Sequence, residues 1–132
     1  MPLVVPEVNS RRIIANPNCV AAIATVTLAP IHRVSKIRRL TISTYQAASG
    51  AGAAAMNELR EATSAYLRDE AYQLRVLPHP YAFNLFSHHA EVGIGSGYKG
   101  EEIKVIAETR KLLDAAELPL GIMSFPRNFA FQ

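Results

Sequence analysis

The sequence predicts an α+β domain, a mixed sheet with helices packed against it, and three observations predict it. Apolar residues change along the chain between strand-like alternation and helical spacing, in the order strand, helix, strand, helix, strands, helix. Leu40-Thr41-Ile42-Ser43-Thr44-Tyr45 combines alternation with β-branching, as a half-buried strand does. Val20 to Leu28 has only Thr25 and Thr27 as polar residues and no charge, which is the pattern of a helix buried on most sides.

Composition bounds the rest. The 132 residues are 49% hydrophobic, enough for one domain with a core and too few for a nucleotide domain plus a catalytic one. Fourteen basic against eleven acidic residues give a net charge of +3. Much of the excess lies in Arg11, Arg12, Arg33, Lys36, Arg38 and Arg39, widely spaced and without interleaved aromatics. That is a weak footprint for nucleic acid, and it suits an acidic small substrate or a solvated face. A single cysteine excludes an internal disulfide framework and fits a reducing compartment. No secretory signal opens the chain, and no run approaches the roughly 18 apolar residues of a membrane span.

Taken in order, Ile13 and Ile14 end a strand, and Asn16-Pro17-Asn18 forces a turn. Asn18 then caps a helix whose first residue is Cys19. A thiol there meets unpaired backbone N–H groups and the positive end of the helix dipole, which favours a thiolate. The alternative for a lone cysteine beside Val20 and Ala21 is a small buried hydrophobe. Pro30 ends or kinks this helix, His32 to Arg39 forms a basic connector, and the strand Leu40–Tyr45 places Gln46 at its end. The small residues Ala47 to Ala55 permit close backbone approach to a ligand or another element. The second helix runs to about Arg68, with Met56, Leu59, Thr63, Tyr66 and Leu67 inward and Glu58, Arg60, Glu61 and Arg68 outward.

Tyr72 to Leu77 reads as a short strand, Pro78-His79-Pro80 excludes regular structure, and Tyr81 to Phe86 reads as an aromatic strand leading to His88 and His89. Glycines 93, 95, 97 and 100 mark a flexible loop. A third helix begins near Gly100, with Glu101 and Glu102 in its first turn and Ile103, Ile106, Arg110 and Leu113 on one face. The tail from Glu117 holds two prolines and no turn or cap that closes an element.

Three constellations carry possible chemistry. Cys19 and Gln46 both lie at element junctions, where a thiolate attacking a carbonyl can use first-turn amides as oxyanion donors. Ser49-Gly50-Ala51-Gly52-Ala53-Ala54-Ala55 matches the alanine form of the dinucleotide fingerprint, with Asp69 some 20 residues on. No second strand precedes Asp69, so a close-packing loop is the better reading. Glu101 and Lys104, three apart on a helix, can clasp a zwitterion, or form an ordinary surface pair. His32, His79, His88 and His89 show no metal spacing, and no metal site is expected.

These residues also resemble a known family. Ile14-Ala15-Asn16-Pro17-Asn18-Cys19, Ser43-Thr44-Tyr45-Gln46-Ala47-Ala48-Ser49-Gly50-Ala51-Gly52, Tyr81-Ala82-Phe83-Asn84-Leu85-Phe86-Ser87-His88, and Glu101-Glu102-Ile103-Lys104 with Glu108-Thr109-Arg110-Lys111 resemble aspartate-β-semialdehyde dehydrogenase, plant and bacterial branch, in order and spacing. The resemblance covers residues 5–113 and leaves 114–132 as a divergent tail. It implies a catalytic and dimerisation domain like the C-terminal half of glyceraldehyde-3-phosphate dehydrogenase, without the NADP-binding domain that precedes it in the family.

The activity implied is NADP-dependent interconversion of L-aspartyl 4-phosphate and L-aspartate 4-semialdehyde through a cysteine thioester, in amino-acid biosynthesis. By this resemblance Cys19 is the nucleophile, Gln46 and Asn18 hold substrate, Glu101 binds its ammonium and Lys104 its phosphate. Ser49, Gly50, Ala51, Gly52 and Ala53 approach the nicotinamide end of NADP. The implied partners are a small-molecule substrate and a second subunit, identical or full-length, with neither nucleic acid nor membrane. The implied location is the cytoplasm, or the plastid stroma in a plant. Two departures stand out: Val20-Ala21 replaces the hydroxyl residues that usually follow the cysteine, and no residue matches the family's acid/base histidine. The expectation is therefore a chain inactive in isolation, with a non-catalytic fragment bound to a full-length subunit, or a small cysteine hydrolase, as alternatives.

Overall fold

A computed structural model describes residues 15–86, 92–93 and 95–126. The expected strand end at Ile13 and Ile14, the segment Ser87, His88 and His89, and residues 127–132 lie outside the described residues. The elements are α1 (Cys19–Val34), β1 (Leu40–Gln46), a 3₁₀ turn (Ala48–Ala51), α2 (Ala53–Leu67), α3 (Gly100–Leu112) and β2 (Leu120–Pro126). β1 and β2 pair side by side and parallel, starting where the Leu40 N–H donates to the Pro119 carbonyl at 2.9 Å. With three helices, the chain is of the α+β class.

The chain divides into two compact units, the described residues of 15–42 with 100–122 and those of 43–99 with 123–126. In the first unit α1 packs on α3, and Ala29, Leu113 and Leu118 form a buried cluster flanked by Leu28, Ile37, Leu40 and Ala115. Pro30 does not end α1. The helix runs one turn further because Ala29 and His32, on either side of the proline, are both buried. His32 Nδ1 accepts the Ile37 N–H at 3.1 Å and ties the connector to the helix end.

The cost of that proline is one missing backbone donor to the Val26 carbonyl. Pro30→Ala is expected to stabilise the chain by about 1–3 kcal/mol. The check is a higher denaturation midpoint at unchanged m-value.

α1 is less buried than its sequence implies. Ile23, Val26, Ile31 and Val34 are exposed, because within its unit α3 covers only the side bearing Val20, Ala21, Thr25 and Ala29. On α3 the buried face is Glu102, Val105 and Thr109, and Ile103 is exposed, one position out of register with the expected stripe. The tail is not without regular structure, since Leu120 and Ile122 bury their side chains as β2 runs beside β1.

In the second unit Ala48, Ala55, Leu59, Leu77 and Tyr81 form the core, with Met56, Leu74 and Phe86 against it. Three expectations change here. Glu58 points inward, only 5% exposed, while Tyr66 and Leu67 lie outside. Tyr72 to Leu77 forms no strand, because the Glu58 carboxylate accepts the N–H groups of Arg75, Val76 and Leu77 at 2.5, 2.8 and 2.5 Å, which a strand would give to a neighbour.

Tyr81 to Phe86 is no continuous strand: the chain turns at Ala82 and Phe83, with the Asn84 amide on the Pro80 carbonyl and Phe83 at φ 53°, and only Leu85 takes part in a β-bridge. The Phe86 ring meets Tyr81 and His79 edge-on at 4.8 and 5.1 Å. α2 and α3 end alike. Asp69 and Asp114 take φ of 54° and 51°, and the residue after each donates its N–H back into the last turn at 2.9 Å.

Candidate active site around Cys19

The entry to α1 is fixed by Asn18. Its side-chain oxygen accepts the Val20 N–H at 2.9 Å, and its carbonyl accepts the Ala22 N–H at the same distance. Cys19 follows as the first helical residue, a free and exposed thiol. Exposure sets aside the reading of Cys19 as a buried hydrophobe and leaves the sulfur open to a small electrophile.

Asn18 also ties this turn to α3. Its side-chain Nδ2 donates to Glu101 Oε1 at 2.5 Å, and its backbone N–H donates to Glu108 Oε2 at 2.5 Å. Lys104 Nζ stands 4.0 Å from the other Glu101 oxygen, with its side chain largely in solvent. Thus the first unit assembles a thiol and an amide from the start of α1 with two carboxylates and an ammonium from α3, Glu101 and Lys104 in its first turns and Glu108 two turns beyond Glu101. A negative and a positive group side by side can hold the ammonium and the phosphate of one zwitterionic ligand, as a pair that is only partly screened by solvent. Glu108 is the member that residue patterns alone did not single out. Its spacing of seven from Glu101, two helical turns, places both on one face and was the available signal.

The second unit holds the other candidates. Strand alternation puts Gln46 on the half-buried side of β1 with Leu40, Ile42 and Thr44. The Gln46 Nε2 is buried and makes no hydrogen bond among the described residues. An amide donor so placed is unsatisfied until an acceptor arrives. Beyond it the chain turns through Ala48–Ala51 and enters α2 at Gly52, whose φ of 90° only glycine adopts without strain.

Ser49, Gly50, Ala51, Gly52 and Ala53 are all exposed, and a Cβ at Gly50 or Gly52 would meet no atom within 4 Å. No side chain caps α2. This open, uncharged stretch at a helix start leaves its backbone accessible to a ligand. It does not fit the dinucleotide fingerprint, since Asp69 sits in the turn that ends α2 rather than after a second strand. Among the described residues no three His, Cys, Asp or Glu gather as metal ligands, and no helix is long and apolar enough to cross a membrane.

The chain is similar to known proteins. The aspartate-semialdehyde dehydrogenase of Prochlorococcus marinus is 44% identical over 126 residues, which cover 91% of this chain and 36% of that protein. That of Synechocystis sp. is 41% identical over 124 residues, covering 89% and 36%. Among solved structures, aspartate semialdehyde dehydrogenase II from Vibrio cholerae complexed with ASA superposes with a TM-score of 0.83 at 30% identity. The match takes in 92% of this chain and 36% of that one.

The chain thus spans about a third of the length of these relatives. Residues 28–123 match the family described as semialdehyde dehydrogenase, dimerisation domain. That match takes in most of both units, and the chain accordingly belongs to the dimerisation-domain family of the semialdehyde dehydrogenases.

Proposed function

We propose that this chain supplies the nucleophile and the substrate-binding groups of an aspartate-semialdehyde dehydrogenase, an NADP-dependent oxidoreductase of amino-acid biosynthesis. The observation that carries the reading is Asn18, which joins the turn bearing the exposed Cys19 to the Glu101 and Lys104 side of α3. In this reading Cys19 Sγ attacks the acyl carbon of L-aspartyl 4-phosphate. The S–C bond forms, the C–O bond to phosphate breaks, and inorganic phosphate leaves with the electron pair.

Glu101 takes the substrate ammonium, Lys104 its phosphate, and first-turn amides of α1 stabilise the oxyanion. By resemblance to the family, Gln46 is assigned to hold substrate, and Ser49 to Ala53 would hold a nicotinamide cofactor, which would supply the hydride. No residue of the sequence matches the family's acid/base histidine, and in this reading the 132-residue chain completes no turnover alone.

The acylation half-reaction needs no cofactor, and intact-mass spectrometry of the purified chain with L-aspartyl 4-phosphate tests it. The expected result is one hydroxylamine-sensitive adduct, absent from Cys19→Ser. A chain that iodoacetamide labels at Cys19 but aspartyl phosphate does not acylate would overturn the reading.

The exposed apolar residues of α1 favour a second element of the proposal, association with another subunit, identical or full-length. Co-purification with a full-length dehydrogenase tests that part, and a lone monomer in its presence counts against it. The proposed location is the cytoplasm or, in a plant, the plastid stroma.

A further inference from the structure

We propose that Glu108 is a positioning residue for Cys19, a role that rests on the acyl-transfer reading above. The N–H of a helix N-cap residue lies outside the helical hydrogen-bond ladder and needs a partner from elsewhere. For Asn18 that partner is Glu108 Oε2 at 2.5 Å, across 90 residues of sequence. With it, every polar group of Asn18 is engaged. The backbone N–H is on Glu108, the side-chain amide on Glu101, the side-chain oxygen on Val20 and the carbonyl on Ala22.

An Asn18 held at four points leaves the following residue little freedom, so Cys19 enters α1 at one angle relative to α3. Glu101 and Lys104 stand on the same α3 that carries Glu108. Glu108 therefore sets the thiol against the groups that hold the substrate, without touching substrate itself. Glu101 fixes only the side chain of Asn18. Glu108 fixes the backbone, and through the backbone the sulfur.

This role separates reaction with a positioned substrate from the intrinsic reactivity of the thiol. Small misplacements of a reacting group lower a bound reaction by about 100-fold, whereas attack on a freely diffusing electrophile has no such geometry to lose. Because Cys19 is the sole cysteine, both rates can be read on the intact chain by mass.

The experiment compares wild type, Glu108→Ala, Glu108→Asp and Glu108→Gln for acylation by L-aspartyl 4-phosphate and for alkylation by iodoacetamide, with thermal melts to confirm folding. Expected are losses of roughly 10- to 100-fold in acylation for Ala and Asp, with alkylation little changed. The Gln variant, which keeps an acceptor oxygen at full reach, should recover most of the rate. Asp retains the charge but withdraws the acceptor, and it serves if Ala does not fold.

Equal acylation in all four proteins would overturn the role while leaving the acyl-transfer reading intact. Parallel losses in acylation and alkylation would also overturn it, by showing a general disturbance. A wild-type chain that is alkylated but never acylated would overturn both together.

Discussion

Glu58→Ala is expected to lower the thermal midpoint by on the order of 10 °C at neutral pH. The change strands the three N–H groups that the Glu58 carboxylate accepts, those of Arg75, Val76 and Leu77. Leu77 is itself in the core of the second unit, so the loss loosens the packing beneath it. The pH dependence has a definite sign. Burial pushes the Glu58 carboxyl up, but hydrogen bonds from Leu77, Arg75 and Val76, with the charge of Arg75, outweigh it and hold the carboxyl below its ordinary 4.5.

A depressed folded value means that the stabilisation is complete above the unfolded value and disappears as pH falls through the folded one. Thermal melts of wild type and variant should therefore differ most above about pH 5 and converge in stronger acid. Glu58→Gln, with one acceptor oxygen and no charge, should fall between the two at neutral pH and keep a constant gap to Glu58→Ala as pH falls. A constant gap from neutral to acid pH would contradict the account.

Asn18→Asp is expected to slow acylation of Cys19 roughly 100-fold with little loss of helix α1. As a cap, aspartate is the equal of asparagine, so the local helix argument predicts no effect. The arrangement with α3 predicts the opposite. The Nδ2 donor to Glu101 is lost, and a third carboxylate joins Glu101 and Glu108 at one residue. Like charges at that spacing repel, and the turn carrying the sulfur swings away from α3.

Far-ultraviolet circular dichroism gives the helix content, and the mass assay gives acylation. Preserved helicity with unchanged acylation would show that the link between Asn18 and Glu101 has no part in the chemistry. Asn18→Ser, which caps without adding charge, should lose less than Asp.

What the sequence disclosed and what it hid follow from the distance over which each feature is encoded. The Asn18 cap and Cys19 at the first helical position are written within a few residues, and the structure shows both in those places, although residues 15–18 run irregularly into the helix without a defined turn. β1 and α3 likewise stand where expected to within a residue, whereas α2 starts inside the small-residue stretch, at Ala53. Glu58 was invisible, since a glutamate in a helix looks solvent-facing and its partners lie 17 to 19 residues away.

Glu108 and Glu101 meet Asn18 across 90 and 83 residues, which no periodicity records. β2 was masked by Pro119 and Pro126 at its margins, where a strand tolerates proline and a pattern search stops. The apolar count of α1 implied a helix buried on most sides, yet Ile23, Val26, Ile31 and Val34 are exposed, because composition does not say how many neighbours a helix has.

The left-handed aspartates that close α2 and α3 bear on how substitutions at these positions should be understood. Asp69 and Asp114 occupy a backbone geometry that glycine and asparagine also accept and β-branched side chains resist. A screen of all replacements at either position would sort survivors by shape of the main chain, with acidity irrelevant. An acidic residue retained there in other sequences is thus a mark of chain reversal, and it says nothing about ribose recognition or proton transfer.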